Sequence, residues 1–273
     1  MNESPQISEE IVNELIRLTE ENAQHYNNLI NFTKFKLSNY PVISFNKASE
    51  KDKEVLGELI FFDCVYEIST SLMYANEALQ SEDLGVMFSL LRKPLQDLLA
   101  CIEYITFDRV TFVNAMINDE FESIDFSDWK VRNFIKTEIK KIINNNSDIL
   151  KRINEQQVDI LFEQRYGSKE NDQTLSGYLD QSLHLITTRK KGFRTNKNSL
   201  NYLPLFHTSE RINSFKYIYV TALPLIFSYV NQLMYFNLIK NFNRTDSFLV
   251  EEIKKMSKID DKNIDFIQKV RNL

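Results

Sequence analysis

Tyr217 to Ile239, YIYVTALPLIFSYVNQLMYFNLI, is a run without a charged residue, closed at its two ends by Lys216 and Lys240. By length alone it would cross a bilayer. It also carries Thr221, Pro224, Ser228, Asn231, Gln232 and Asn237, and side-chain amides at mid-membrane are costly unless partner helices satisfy them. A helix that is apolar all round belongs equally at the centre of a large domain. The run therefore reads as the central buried helix of a bundle, from about Ser209 to Asn241. A membrane-associated chain anchored by 217–239 is the lesser alternative.

Helical signals extend outward from this centre. Ile7, Ile11, Leu15 and Leu18 form one apolar stripe on a helix from about Ser8 to Leu37, which Tyr40-Pro41 ends. Ser49, with Asp52 three residues on, caps a second helix to about Gln80. Ser81 is the predicted cap of a third helix, reaching Phe107 with a kink at Pro94. Shorter helices are predicted at 109–118, 127–143, 147–166 (with Gly167 left-handed beyond it) and 174–188. Two more close the chain at 246–257 and 261–271. A short extended piece is expected at Val42–Phe45. The expected fold class is all-α, a multi-helix bundle of about eight or nine helices around the apolar one. It forms a single helical domain over 1–273, with a long N-terminal helix (1–40), a bundle core (41–243) and a C-terminal helical extension (244–273).

Composition agrees. Five Gly and five Pro in 273 residues leave too little turn chemistry for a many-stranded sheet. The length suffices for a core that needs no disulfide or metal. A net charge of −5 confines any nucleic-acid contact to a local basic patch. Cys64 and Cys101 lie in apolar helical patterns and read as reduced. The N-terminus is acidic and polar, unlike a secretory leader, so the expected location is cytoplasmic.

The sequence has no Gly-rich phosphate loop, no Cys-x-x-Cys, no His-Glu-x-x-His and no Glu-x-x-His, so no cofactor and no metal is expected. Of three histidines, Glu21 and His25 stand four apart and read as a surface pair, and His207 as a helix-start or interface residue. His184 precedes the basic stretch Arg189, Lys190, Lys191, Arg194 and Lys197, which also holds Phe193. Such a cluster would hold a phosphate backbone and stack a base, or would be a solvated loop. In the third helix Arg92, Gln96 and Glu103 fall on roughly one face. They read as an internal network fixing helix register, with Lys93 and Asp97 as a surface pair. The alternative sets Arg92 opposite His184 in a cleft, one holding phosphate and the other moving a proton.

The Leu-Leu-Arg92 segment, the later Tyr178-x-x-x-Ser182-x-His184 segment and the closing apolar helix together resemble helical bacterial proteins of the broad HEPN-like group, over about residues 50–240. The resemblance implies a four-helix core, a homodimer and a setting in bacterial toxin or anti-phage defence. In active members it implies metal-independent RNA cleavage. Their close Arg–His spacing is absent here: Arg17 and His25, with seven residues between them, come nearest. The expectation is a helical binding or interaction protein, homo-oligomeric, whose partners are RNA through the basic stretch or another protein, with no membrane. The alternative is an endoribonuclease with Arg92 and His184 as its catalytic residues.

Overall fold

The structure is a computed structural model and describes residues 6–37, 48–118, 120, 124–167, 174–182, 209–242 and 247–272. Among these residues the regular structure is helical, with no strand. The helices are α1 (Glu9–Leu37), α2 (Glu50–Gln80), α3 (Leu84–Lys93), α4 (Leu99–Ile117), α5 (Trp129–Asn145), α6 (Glu155–Tyr166), α7 (Leu175–Ser182), α8 (Ser209–Phe236) and α9 (Ser247–Arg271).

The apolar run forms α8 and continues into a π turn over Asn237–Asn241, closed by the Phe242 N–H on the Asn237 carbonyl at 2.7 Å. Over its most apolar window this helix is 89% buried inside the fold, so its apolar surface faces neighbouring helices. Its polar side chains find partners across those contacts. Tyr219 donates to Asn76 Oδ1 at 2.7 Å, and Asn76 in turn donates to Thr19 Oγ1 at 2.6 Å. Asn237 donates to Thr106 Oγ1 at 2.8 Å. Helices α1, α4, α6, α7 and α9 pack on α8, α2 reaches it through Asn76, and α9 packs along both α8 and α1. One apolar cluster runs from Ile7 to Val270 and joins the N-terminal helix, the bundle core and the C-terminal extension.

Several boundaries depart from the sequence expectation for identifiable reasons. Asp83 caps α3, accepting from the Val86 N–H at 3.1 Å, while Ser81 ends α2 and Glu82 between them takes the left-handed φ of 55°. Pro94, which has no N–H, begins a π turn over Pro94–Leu98 that joins α3 to α4 without ending the helical run. The predicted break after Phe107 is present: Asp108 leaves helical geometry (φ −147°, ψ 70°) and its carboxylate caps the next turn at the Thr111 N–H.

Residues 147–154 form turns, not helix, because Asn154 and Gln157 make a reciprocal capping box that starts α6 there. Gly167 is extended (φ −57°, ψ 172°), not left-handed. The two predicted C-terminal helices are one continuous α9. The predicted extended piece at Val42–Phe45 lies outside the described residues.

Candidate functional site

The apolar stripe of α6, Val158, Leu161 and Phe162, continues at the next turn into Arg165, which is fully buried. A guanidinium removed from water needs an anion and a full set of acceptors. Both are present. Glu103 of α4, equally buried, takes Nη1 on Oε1 at 2.5 Å and Nη2 on Oε2 at 3.1 Å. Nε donates to the Leu95 carbonyl at 2.6 Å, at the π turn. The Tyr229 hydroxyl of α8 donates to Glu103 Oε1 at 2.7 Å, and Tyr166 donates to the Gln96 carbonyl at 2.6 Å. Burial is the largest single influence on Arg165 and works to lower its pKa, but the Glu103 charge and hydrogen bond together with Tyr166 and Tyr229 outweigh it and the pKa is raised. Burial pushes Tyr166 up to about 12. The network is closed and locks α4, α6 and α8 together.

A second polar seam runs between α1, α8 and α9, and it is open. Asp260 of α9 is fully buried. Its two carboxylate oxygens accept Asn231 Nδ2 at 2.7 Å and Gln232 Nε2 at 2.9 Å. Asn231 Nδ2 also reaches Asn22 Oδ1 of α1 at 3.1 Å, and Asn22 Nδ2 donates to Asn263 Oδ1 at 3.3 Å. Burial pushes Asp260 up to about 6, against the amide hydrogen bonds and the positive charge of Arg152. The carbonyl oxygens of Asn231 and Gln232, both buried, have no hydrogen-bond partner.

This seam forms one wall of a cavity of about 530 Å³ between α8, α9 and the turn that joins α5 to α6, within the size range of small-molecule sites. Gln232 and Asp260 lie on its inner side, and Tyr235 and Ile253 line it. Lys151, Arg152 and Lys254 stand at its rim with Asp148. Arg152 is held in place by an ion pair with Asp261 and by Ser257 Oγ at 3.0 Å.

A shallower groove on the other side of α9 is lined by Glu20, Glu21, His25, Glu252 and Lys255. His25 is 4% exposed and its Nδ1 lies 3.0 Å from Glu252 Oε2, while Nε2 has no partner. Burial lowers the His25 pKa, opposed by the Glu252 charge. His25 is thus not in a surface pair with Glu21, whose carboxylate takes Lys262 Nζ at 2.6 Å. Among the described residues no group of three His, Cys, Asp or Glu side chains could hold a metal ion.

Of the sequence-predicted residues, Arg92 lies exposed at the C-terminal end of α3. His184, Arg189, Lys190, Lys191, Arg194, Lys197 and His207 lie outside the described residues. Arg92, Gln96 and Glu103 do not share a face. The π turn holds one residue more than an α turn, which rotates everything beyond it by about 100°. Glu103 therefore meets Arg165, Gln96 Nε2 reaches the Arg165 carbonyl at 3.3 Å, and Arg92 faces outward. Lys93 pairs with Glu67 at 3.5 Å, not with Asp97.

Arg165 and Asp260 were missed, although both had a signal. Each is a charge placed on the apolar stripe of its own helix, Arg165 three residues after Phe162 and Asp260 four after Met256.

The fold and site define an all-helical bundle with a closed structural ion pair and an open, ligand-sized cavity. No family model, no curated protein and no solved structure matches the chain.

Proposed function

We propose that this chain is a helical binding protein and that the cavity between α8, α9 and the α5–α6 turn is its ligand site. The observation that carries the reading is Gln232, 5% exposed and lining the cavity, with its amide nitrogen engaged by Asp260 and its carbonyl oxygen unpartnered. Buried polar atoms without partners are rare in folded proteins and commonly mark a place for water, an ion or a ligand. A small-molecule screen read by thermal shift tests this. Hits should stabilise the wild type and lose their effect on Ile253→Trp, whose indole would fill the space. A screen without hits, or hits indifferent to Ile253→Trp, refutes the reading.

The HEPN-like relationship, a setting in bacterial defence or stress, a cytoplasmic location and a homo-oligomeric state belong to the same proposal. An all-helical bundle closed by an apolar helix supports the first. The burial of the apolar window of α8 supports a chain that does not enter membranes. Exposed Met73, Tyr74 and Val86, on the adjacent helices α2 and α3, support a partner, in our reading a second copy. RNA contact through Arg189, Lys190, Lys191, Arg194 and Lys197 rests on their charge, with the nuclease reading, Arg92 and His184 as catalytic pair, as its alternative. Labelled RNA in EDTA separates the two. A salt-sensitive gel shift lost in a charge-reversed Arg189–Lys191 variant supports binding, whereas cleavage lost in His184→Ala would establish the nuclease.

A further inference from the structure

Cys64 of α2 and Cys101 of α4 belong to neither polar network, and both are free thiols, the first buried and the second partly exposed. Three contacts fix the register of α2 against the continuous run from α3 to α4. Glu54 meets Arg109 at 3.8 Å, a Cβ on Gly57 would stand 2.4 Å from Arg109 Cγ, and Glu67 meets Lys93 at 3.5 Å. Positions that rise along α2 fall along its partner, so the two run antiparallel. Cys64 lies seven residues beyond Gly57 and Cys101 eight before Arg109, about 10 and 12 Å along the two axes. The thiols therefore stand at one level, between the two ion pairs, and Cys64 hydrogen-bonds with Cys101. Gly57 lets the helices run this close, because a Cβ there would push the Arg109 stem aside. The same hydrogen bond, with burial and the charges of Asp97 and Glu103 behind it, holds the Cys101 pKa well above the usual thiol range. A protonated thiol is a poor nucleophile, which keeps the pair reduced under ordinary conditions and makes its oxidation slow. Those surroundings also disfavour a charged product. A sulfinate, or two thiolates around a metal, would bury negative charge beside the carboxylates, whereas a disulfide is neutral.

We infer that Cys64 and Cys101 form a redox-modification site, a facing thiol pair that a hydroperoxide converts into a disulfide between α2 and α4. In the first step the partly exposed Cys101 sulfur attacks the peroxide, the O–O bond breaks, and a sulfenic acid and one water result. In the second the Cys64 sulfur attacks the Cys101 sulfur. The S–S bond forms, the S–O bond breaks, and the departing hydroxide takes the Cys64 proton as a second water. The two thiols lose two electrons and two protons, and the peroxide is reduced to water. The site is independent of the cavity. Its consequence is mechanical, since the bond fastens α2 to the turn of α4 that carries Glu103, the partner of Arg165.

The full chain, reduced and then freed of reductant, is treated with hydrogen peroxide for hours, unfolded and alkylated. Its intact mass should fall by two hydrogens with no alkyl group on either cysteine. Peptide mapping should show a link between Cys64 and Cys101 that dithiothreitol reverses. Cys64→Ala, its fold checked by circular dichroism, should stop at a Cys101 sulfenic acid that dimedone traps. The oxidised wild type should unfold at higher urea than the reduced protein, because the cross-link restricts the unfolded chain. That difference should be absent from Cys64→Ala and Cys101→Ala. Should either variant fail to fold, the mapping and the two urea midpoints of the wild type decide alone. Full alkylation of both thiols after peroxide overturns the assignment, as does a link that forms only between chains or only in urea. A lower urea midpoint for the oxidised chain overturns it too, since the native register would then not accept the bond.

Discussion

The two buried polar regions of this bundle are built from similar parts and end in different states. Around Arg165 the charge has a carboxylate, a backbone carbonyl and the Tyr166 hydroxyl within reach, and Glu103 is completed by Tyr229. Around Asp260 the carboxyl has two amide donors, yet the oxygens of those same amides have no partner, and a cavity begins beside them. A fully connected network specifies helix packing; a partly connected one at a cavity wall leaves hydrogen-bonding capacity for something else. The first region therefore answers to stability, and the second to pH and, under the function proposed above, to a ligand.

The largest expected effect is at Arg165. Arg165→Met leaves Glu103 as a buried, uncompensated charge, at a cost of roughly 3–5 kcal/mol. Glu103→Leu together with Arg165→Met removes both charges and should recover most of that loss, because apolar replacements of a buried pair are commonly neutral or better. Urea unfolding of the two variants checks this. A double variant no more stable than Arg165→Met would show that the pair does more than satisfy itself, and the contrast between the regions would fail.

Asp260 comes next, and its effect is in pH. With a folded pKa of about 6 against an ordinary value of 3.8, the folded state binds more protons than the unfolded chain between those values. Stability from this group is therefore greatest in acid and declines as pH rises through 6, by about 3 kcal/mol in all. The groups facing it are Asn231, Gln232 and Ser228 of α8, Arg152 of the α5–α6 turn and Tyr26 of α1, whose own pKa is raised by burial and by the Asp260 charge. Asp260→Asn should be more stable than the wild type at pH 8 and show no such decline. Denaturant midpoints at pH 5 and pH 8 test it; an unchanged slope would mean that the carboxyl is not desolvated.

His25 should act in the opposite sense with a smaller amplitude. Burial lowers its pKa below 6.5, with Glu252 opposing and Lys255 assisting. The folded state thus binds fewer protons, and stability from His25 is present above pH 6.5 and is lost as the pH falls toward the lowered value. In an Asp260→Asn background this loss should stand out as reduced stability toward acid, and His25→Gln should remove it. The same denaturant series in both variants makes the measurement, and an acid loss that persists in His25→Gln would assign it elsewhere.

What the sequence reveals follows from which signals are local. The apolar run at 217–239, the α1 stripe and the Ser49 capping box each depend on neighbours within a turn or two, and each is found where expected. The need for partner helices to satisfy the amides of α8 was also legible. The partners were not, because Asp260 stands where the sequence suggested a gap between two helices, and a charge on an apolar stripe is easily taken for a boundary. The polar face of the third helix failed for another local reason: counting in α turns across Pro94 carries Arg92 inward, whereas the π turn carries it out.

Arg92 gives the comparison its baseline and the smallest effect. It is exposed in the last turn of α3, outside both buried regions. Arg92→Ala should change stability by no more than about 0.5 kcal/mol and leave the pH dependence set by Asp260 and His25 unaltered. Urea unfolding at pH 5 and pH 8, run beside the Arg165 and Asp260 variants, measures both. A loss approaching that of Arg165→Met would mean that Arg92 reaches a buried partner after all, and that the outward rotation imposed by the π turn is wrong.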